Sequence, residues 1–273
     1  MPVEKAVVLA RGLGTRMRKE DASVILSEEQ EKIARKGIKA LIPVAAGRPF
    51  LDYVLSALAD AGITRVCLVV APDHDELVAR YGGEVPLERL SVSFAIQEKP
   101  LGTANAVAAA EEFVNGDPFL MVNSDNYYPH DALAALRELS GPAVALFEQE
   151  AMLTQSNIAA ERILSFAVGL VDANGYLVRI LEKPSRETLA HLPRPIWLSM
   201  NCWRFGPSIF EACRRIGPSP RGEYEITDAV QYAIDHLQER FQTVCVKKAV
   251  YDMTSRADIP AIVARLEGIK VWL

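Results

Sequence analysis

The chain lacks any run near the ~20 apolar residues that a membrane-spanning helix needs, so no membrane partner is expected. The short apolar stretch Ala6–Ala10, with Glu4 and Lys5 directly before it, is too brief for the core of a secretory signal. Cysteine is scarce. Cys67, Cys202, Cys213 and Cys245 are scattered without a Cys-x-x-Cys pair, so they read as reduced thiols of a cytoplasmic protein rather than zinc ligands. Basic charge is not in excess: Lys and Arg total 30 against 35 Asp and Glu, a formal net charge of −5. That balance argues against a nucleic-acid partner, which usually meets a basic face. It still allows a few local cations to hold a phosphate. There is no internal repeat, no low-complexity tract and no Pro/Gly/Ser-rich linker, which favours one domain over two.

What remains is ordinary globular material, half hydrophobic and about a quarter charged over 273 residues. Val3–Ala10 reads as a buried strand ended by a glycine turn. Phe50, Leu51, Val54, Leu55 and Leu58 fall on one helical stripe, and Gly62 is placed to end that helix. The continuous apolar runs Val66–Ala71, Val92–Ile96, Phe119–Val122 and Ala143–Phe147 suit strands covered on both faces, with helices expected at Thr103–Val114 and His130–Leu139. This alternation predicts a mostly parallel α/β sheet flanked by helices.

After Glu150 the pattern changes. Strands are expected at Ile163–Asp172, Tyr176–Leu181 and Trp197–Phe205, with Asp172–Gly175 as a hairpin turn between the first two. Helices follow near Ser208–Ile216, Ile226–Leu237 and Ala257–Leu266. Between Arg16 and Lys39 lies a charge-dense insertion, in which Ser27 and Gln30 fit a capping box and Gly37 a C-terminal stop. It reads as an exposed flap, either functional or a mere solvated decoration.

Four segments can carry chemistry. The first is Ala10-Arg11-Gly12-Leu13-Gly14-Thr15-Arg16, directly after a strand. Its glycines let backbone N–H groups approach a phosphate. It is not a P-loop, and Met17 stands where a dinucleotide fingerprint has its third glycine. The second is Lys39, whose ammonium either snorkels to water or meets an anion. The third is Gln97-Glu-Lys-Pro-Leu-Gly-Thr-Ala104, where an amide suits a base edge and Gly102 lets a flat ring lie close. The fourth is Asp125, emerging from a hydrophobic strand at the end where open α/β sheets bind ligands. It is a natural oxygen ligand for Mg²⁺, unless it only forms an Asx-turn. Asp252 is a candidate second carboxylate.

Taken in order, these segments resemble the sugar-1-phosphate nucleotidyltransferase family, which includes glucose-1-phosphate thymidylyl- and uridylyltransferases and mannose-1-phosphate guanylyltransferases. The resemblance rests on Gly12-Leu-Gly-Thr-Arg16, Lys39 with Pro43-Val44, Gln97 with Gly102-Thr-Ala104, Asp125, Glu182-Lys-Pro184 and Asp252. It implies a Rossmann-like, mostly parallel mixed sheet in a single domain over 1–273. A nucleotide-binding half would cover about 1–150 and a sugar-binding half about 151–273. It implies a reaction joining a sugar 1-phosphate to a nucleoside triphosphate, UTP or dTTP favoured, with release of pyrophosphate and with Mg²⁺ as cofactor.

By the same resemblance Arg16, Lys39 and Lys183 are the catalytic cations. Ala10, Gly12, Gly14, Thr15, Gln97, Gly102 and Thr103 would bind the nucleotide. Glu182, Asn201 and Ala167 would line the sugar, and Asp125 and Asp252 would hold the metal. A homo-oligomer is left open.

The chain departs from the family pattern at four positions. Arg11 and Ser124 stand for glycines, Ile38 for a proline, and Ala167 for a sugar-contacting glycine. No left-handed β-helix follows, so no second, acyltransferase activity is expected. Two other readings are open: a binding or regulatory protein in which Arg11 spoils catalysis, and a glycosyltransferase. The latter usually carries Asp-x-Asp, which Asp125-Asn126-Tyr127 is not. A nicotinamide dehydrogenase is weaker still.

Overall fold

A computed structural model describes residues 2–273. Among the described residues eleven strands form: β1 (Lys5–Leu9), β2 (Arg65–Val70), β3 (Ser91–Ile96), β4 (Phe119–Asn123), β5 (Asn126–Tyr127), β6 (Ala143–Glu148), β7 (Ala167–Val171), β8 (Tyr176–Leu181), β9 (Trp197–Phe205), β10 (Phe241–Val246) and β11 (Tyr251–Asp252). Nine of them make one sheet in the order β3-β2-β1-β4-β9-β6-β10-β8-β7, and β7 also pairs with β9. The block β3-β2-β1-β4 is parallel throughout. Antiparallel pairing enters with β9, which runs against β4, β6 and β7. The sheet is therefore mixed, with its parallel character concentrated in the N-terminal half.

Burial explains why the central strands form. In β1, Val7 packs on one face with Cys67, Val69 and Met121, while Ala6 and Val8 pack on the other with Val66, Leu68 and Leu120. A strand buried on both faces needs no polar alternation, so the sequence reads as an unbroken apolar run. The helix Phe50–Asp60 buries all but its last residue against one face. The helices Thr103–Ala109 and Ile226–His236 cover the other.

Several elements differ from expectation for local reasons. The helix expected over 103–114 breaks at Ala110 into Thr103–Ala109 and Glu111–Val114. The strand expected from Ile163 begins only at Ala167, because Ala160–Ile163 forms a helical turn. The strand β10 was not anticipated. Its middle residues Gln242, Thr243 and Val244 are half-buried and Cys245 is exposed, so it carries no continuous apolar run.

The insertion after Arg16 holds the helix Glu28–Lys36, opened by the Ser27–Gln30 capping box and closed by Gly37 at φ 76°. It is more than decoration. Gln30 Nε2 donates to the Pro43 carbonyl (2.8 Å), and Arg18 donates to the Lys36 carbonyl through Nε (3.1 Å) and Nη2 (2.8 Å). The buried Arg256 reaches from the far end of the chain to pair with Glu31 at 2.7 Å and to donate to the Met17 carbonyl at 3.0 Å. Among the described residues, no helix is long and apolar enough to cross a membrane.

Candidate active site

Beyond the C-terminal ends of β1 and β4 the chain forms a cleft of about 320 Å³. The loop Ala10–Leu13 makes one wall, Gln97 with Gly102 and Thr103 a second, and Lys39 with Asp125 a third. Gly102 has φ 109°, and a Cβ there would stand 2.5 Å from the Tyr224 carbonyl oxygen, so only glycine fits this close approach. Thr103 Oγ1 accepts from the Ile226 amide at 2.8 Å, tying this wall to the helix Ile226–His236. Gln97 Nε2 donates to the Gly102 carbonyl (3.0 Å) and to Asn105 Oδ1 (2.9 Å). Both amide hydrogens are thereby used, which leaves Oε1 as an acceptor. Arg11 does not crowd the loop: its Nε donates to the Gln97 carbonyl (2.8 Å) and its Nη2 to that of Glu98 (3.3 Å), bracing the opposite wall.

A second cleft, of about 460 Å³, lies alongside. Arg16, Ala167, Glu182, Lys183, Asn201 and Asp252 all line it. Lys183 and Asn201 both adopt left-handed backbone, at φ 44° and 55°. Such strain in non-glycine residues costs of order 1–3 kcal/mol each and clusters at functional sites. Thr227 Oγ1 donates to Glu182 Oε2 at 3.2 Å.

The two clefts meet at a pair of carboxylates. Asp125 lies in the turn just after β4, and the two-residue strand β5 that follows it pairs antiparallel with β11, matching Asn126 with Asp252. The Met253 amide donates to the Asp125 carbonyl at 2.8 Å. A ladder only two residues long thus brings together carboxylates 127 positions apart in sequence (252 − 125 = 127). Lys39 Nζ reaches Asp125 Oδ2 at 2.7 Å. Burial works against the Lys39 ammonium, but the facing Asp125 carboxylate more than offsets it and its pKa rises. Asp252 and Arg16 also act on that ammonium, in opposite directions, which locates both within electrostatic reach of it.

Asp252 is 7% exposed, and its pKa is pushed up to about 6, first by burial and then by the Asp125 carboxylate. Arg162 Nη2 at 3.0 Å and Thr254 Oγ1 at 2.5 Å pull the other way. A carboxylate whose folded pKa is raised is the reverse of the usual stabilising case. Its ionisation destabilises the folded protein above pH 6, and the penalty fades as pH falls from 6 toward the unfolded value near 4. In the metal-free protein Asp252→Asn is therefore expected to raise unfolding stability at pH 8 by on the order of 1–3 kcal/mol. The difference between variant and wild type should vanish by about pH 3.5. Urea unfolding across that range measures it, and a difference independent of pH would refute the assignment.

The carboxylate pair fits a magnesium ion, which takes one or two carboxylates and completes its shell from water and phosphate. No cluster of three or more His, Cys, Asp or Glu able to hold a metal occurs among the described residues.

Of the residues singled out from sequence, Ala10, Gly12, Lys39, Gln97, Gly102, Thr103 and Asp125 line the first cleft. Arg16, Ala167, Glu182, Lys183, Asn201 and Asp252 line the second. Gly14 and Thr15 line neither. Gly14 is buried at φ 60°, with its Cα facing the backbone of Gly37, so the flap rather than a ligand demands glycine there. Thr15 is exposed between Leu13, which lines the first cleft, and Arg16, which lines the second.

Sequence reasoning missed Arg162, which spans Asp252 and Asp258 (3.3 Å). It also missed Arg221, which meets Glu225 at 2.5 Å and Glu182 at 3.7 Å. The run Arg221-Gly-Glu-Tyr-Glu225 ahead of a helix was a readable signal for the latter. Arg162 sits in a stretch with no motif at all.

The family model described as nucleotidyl transferase matches residues 5–253. A glucose-1-phosphate thymidylyltransferase of Streptomyces griseus is 36% identical over 240 residues, covering 88% of this chain and 60% of that protein. A second glucose-1-phosphate thymidylyltransferase, of Streptomyces antibioticus, is 34% identical over 85% of this chain and 58% of its own length. A UTP–glucose-1-phosphate uridylyltransferase of Haloferax volcanii is 26% identical, over 84% of this chain and 83% of its own. The chain thus spans about 60% of the length of the first two relatives. Among solved structures, a UDP-glucose pyrophosphorylase complexed with UDP-glucose superposes with a TM-score of 0.73 at 20% identity, over 96% of this chain and 98% of that one. It shares the fold.

Proposed function

The chain belongs to the nucleotidyl transferase family, and on that premise we propose that it joins a sugar 1-phosphate to a nucleoside triphosphate, giving a nucleoside diphosphate sugar and pyrophosphate. The observation that carries this reading is the junction of the two clefts. There Lys39 pairs with Asp125 beside Asp252, while Arg16 and Lys183 line the neighbouring wall. One cleft suits a nucleotide and the other a sugar, and cations and carboxylates stand between them.

The chemistry follows from that arrangement. An oxygen of the sugar phosphate attacks the α-phosphorus of the triphosphate, and the bond from that phosphorus to the bridging oxygen of pyrophosphate breaks. The attacking oxygen is already ionised, so no side chain need remove a proton. The obstacle is the repulsion between two anions, and the protein's task is alignment and neutralisation. In this reading Arg16 and Lys39 hold the triphosphate and Lys183 the incoming phosphate, while Glu182 and Asn201 hold sugar hydroxyls. Ala10, Gly12, Gln97, Gly102 and Thr103 hold the nucleoside. Asp125 and Asp252 would hold Mg²⁺, which would supply neutralisation of charge on the phosphate oxygens. Arg11, braced on two carbonyls, is no obstacle to catalysis. Four cysteines without disulfides fit a cytoplasmic enzyme.

The state of Gln97 sharpens the choice of base. With both amide hydrogens engaged, its remaining group is an acceptor, which matches the N3–H of uracil or thymine and the N1–H of guanine. Cytosine and adenine offer an unprotonated nitrogen there. UTP, dTTP and GTP therefore all meet this acceptor, UTP and dTTP being favoured by the likeness to thymidylyl- and uridylyltransferases, with CTP and ATP turned over about tenfold more slowly, the effect of one misplaced hydrogen bond of about 1.4 kcal/mol. The test is a panel of triphosphates against several sugar 1-phosphates, read as magnesium-dependent pyrophosphate. Release with no pair, or equal release with every base, would sink the reading or its base preference respectively.

A further inference from the structure

The second carboxylate of the junction sits on a strand with an open edge. β11 is two residues long, and its partner strand is β5. In an antiparallel ladder the N–H and C=O of one residue point to the same side. Met253 turns its amide toward β5, where it donates to the Asp125 carbonyl, so Asp252 turns its own N–H and C=O the other way. Asp252 is 7% exposed, and backbone groups buried there need partners.

Asn157 supplies both. Its Oδ1 accepts from the Asp252 amide at 2.9 Å, and its Nδ2 donates to the Asp252 carbonyl at 2.8 Å. A carboxamide carries an acceptor and a donor side by side, as a peptide group does, so one side chain stands in for a neighbouring strand. Asn157 is itself fixed, in the short loop between the helices Gln149–Gln155 and Ala160–Ile163. Ser156 before it donates to the Met152 carbonyl at 2.6 Å and accepts from the Ile158 amide at 3.1 Å, and Ile158 after it is buried. The carboxylate is held as well. Arg162 meets Asp252 Oδ2 at 3.0 Å, Thr254 Oγ1 donates to Oδ1 at 2.5 Å, and Asp258 anchors Arg162 at 3.3 Å.

Every polar group of Asp252, main chain and side chain, is thus held by protein, while the residue still lines the second cleft. We propose that Asn157 is a positioning residue for the transfer: it sets the direction in which Asp252 is presented to Mg²⁺, and Arg162 sets the rotation of the carboxylate. This rests on the functional reading above and deepens it. Mg²⁺ demands near-ideal octahedral geometry, so a carboxylate free to swing is a poorer ligand. Hydrogen-bond partners of a ligating side chain typically carry about 10–100-fold in metal affinity or activity.

The test reads three quantities on wild type, Asn157→Ala and Arg162→Lys, each also combined with Asp252→Asn. They are Mn²⁺ bound by the nucleotide-free protein, counted by electron paramagnetic resonance of the free ion, pyrophosphate release, and melting temperature. Asn157→Ala is expected to bind Mn²⁺ about tenfold more weakly at the site that Asp252→Asn abolishes, and to release pyrophosphate about 10–100-fold more slowly. Combined with Asp252→Asn it should still lower melting but change neither binding nor release, because the carboxylate it serves is gone. Arg162→Lys keeps the charge, but its single ammonium cannot span Asp252 and Asp258. It should show the same two losses even if Asn157→Ala does not fold. A melting loss with binding and release unchanged overturns the proposal, being the mark of a merely structural asparagine. Losses as large in the Asp252→Asn background overturn it too. A wild type that releases no pyrophosphate sinks the functional reading and this proposal with it. One whose Mn²⁺ binding is absent, or survives Asp252→Asn, sinks the metal assignment and this proposal. An active wild type matched by both variants sinks this one alone.

Discussion

Asp125→Asn is expected to lower the rate of pyrophosphate release by about 10²–10³-fold, or ~3–4 kcal/mol of barrier, the loss typical of removing one electrostatic contact to a developing charge. The exchange is nearly isosteric and can still accept from Lys39, so the fold is spared. The Asp125 backbone carbonyl still receives the Met253 amide, which keeps β5 and β11 in register. What is lost is one of the two negative charges available to a cation at the junction, and a neutral amide oxygen is a much weaker ligand for Mg²⁺. Raising the magnesium concentration should recover part of the rate in Asp125→Asn but none in Arg16→Ala, because the arginine acts on substrate rather than on the metal. Steady-state release measured over a magnesium series reads both. Turnover by Asp125→Asn within threefold of wild type at every magnesium level would remove Asp125 from the site.

Gly14→Ala is expected to destabilise the protein by on the order of 3–5 kcal/mol, a fall in melting temperature of roughly 10 °C for a chain of this size. The position is unfavourable twice over. Its φ of 60° is left-handed, where a side chain costs about 1 kcal/mol. The added Cβ would also sit 2.0 Å from the carbonyl oxygen of Gly37 and 2.6 Å from its Cα. Those are backbone atoms of a residue itself fixed at φ 76°, so no side chain can swing aside to make room. Relief requires the helix Glu28–Lys36 to lift, which breaks the contacts from Arg18 and strains the pair between Glu31 and the buried Arg256. Gly12→Ala is the control. A Cβ there meets nothing within 4 Å, so its melting temperature should stay within about 2–3 °C of wild type, the size of an ordinary surface change. Equal melting of the two variants would refute the docking of the flap on the glycine loop.

A Cβ on Gly14 would strike the flap whereas one on Gly12 would meet nothing, and the motif alone cannot tell the two positions apart. Reading Gly12 and Gly14 together assigned both to a phosphate, whereas the pairing of Gly14 with Gly37 depends on how an insertion of more than twenty residues folds back. Elsewhere the sequence was more informative. Strands such as β1, β2 and β4, buried on both faces, announce themselves as unbroken apolar runs, and Ser27 with Gln30 announced the start of the flap helix. The half-buried β10 did not, because Gln242 and Thr243 interrupt its pattern. Of the candidate site, the grouping of Lys39 with Asp125 hung on whether the lysine returns to the glycine loop, and it does. The strained backbone at Lys183 and Asn201 left no trace, since neither is a glycine.

The two-residue ladder of β5 and β11 has a temporal consequence. Chains emerge from the ribosome N-terminus first and fold as they appear, so β1 to β4 and the glycine loop can assemble while Asp252 is still unmade. The carboxylate pair is completed only when residue 252 of 273 emerges. Until then Lys39 faces Asp125 alone, and the junction of the two clefts has one carboxylate instead of two.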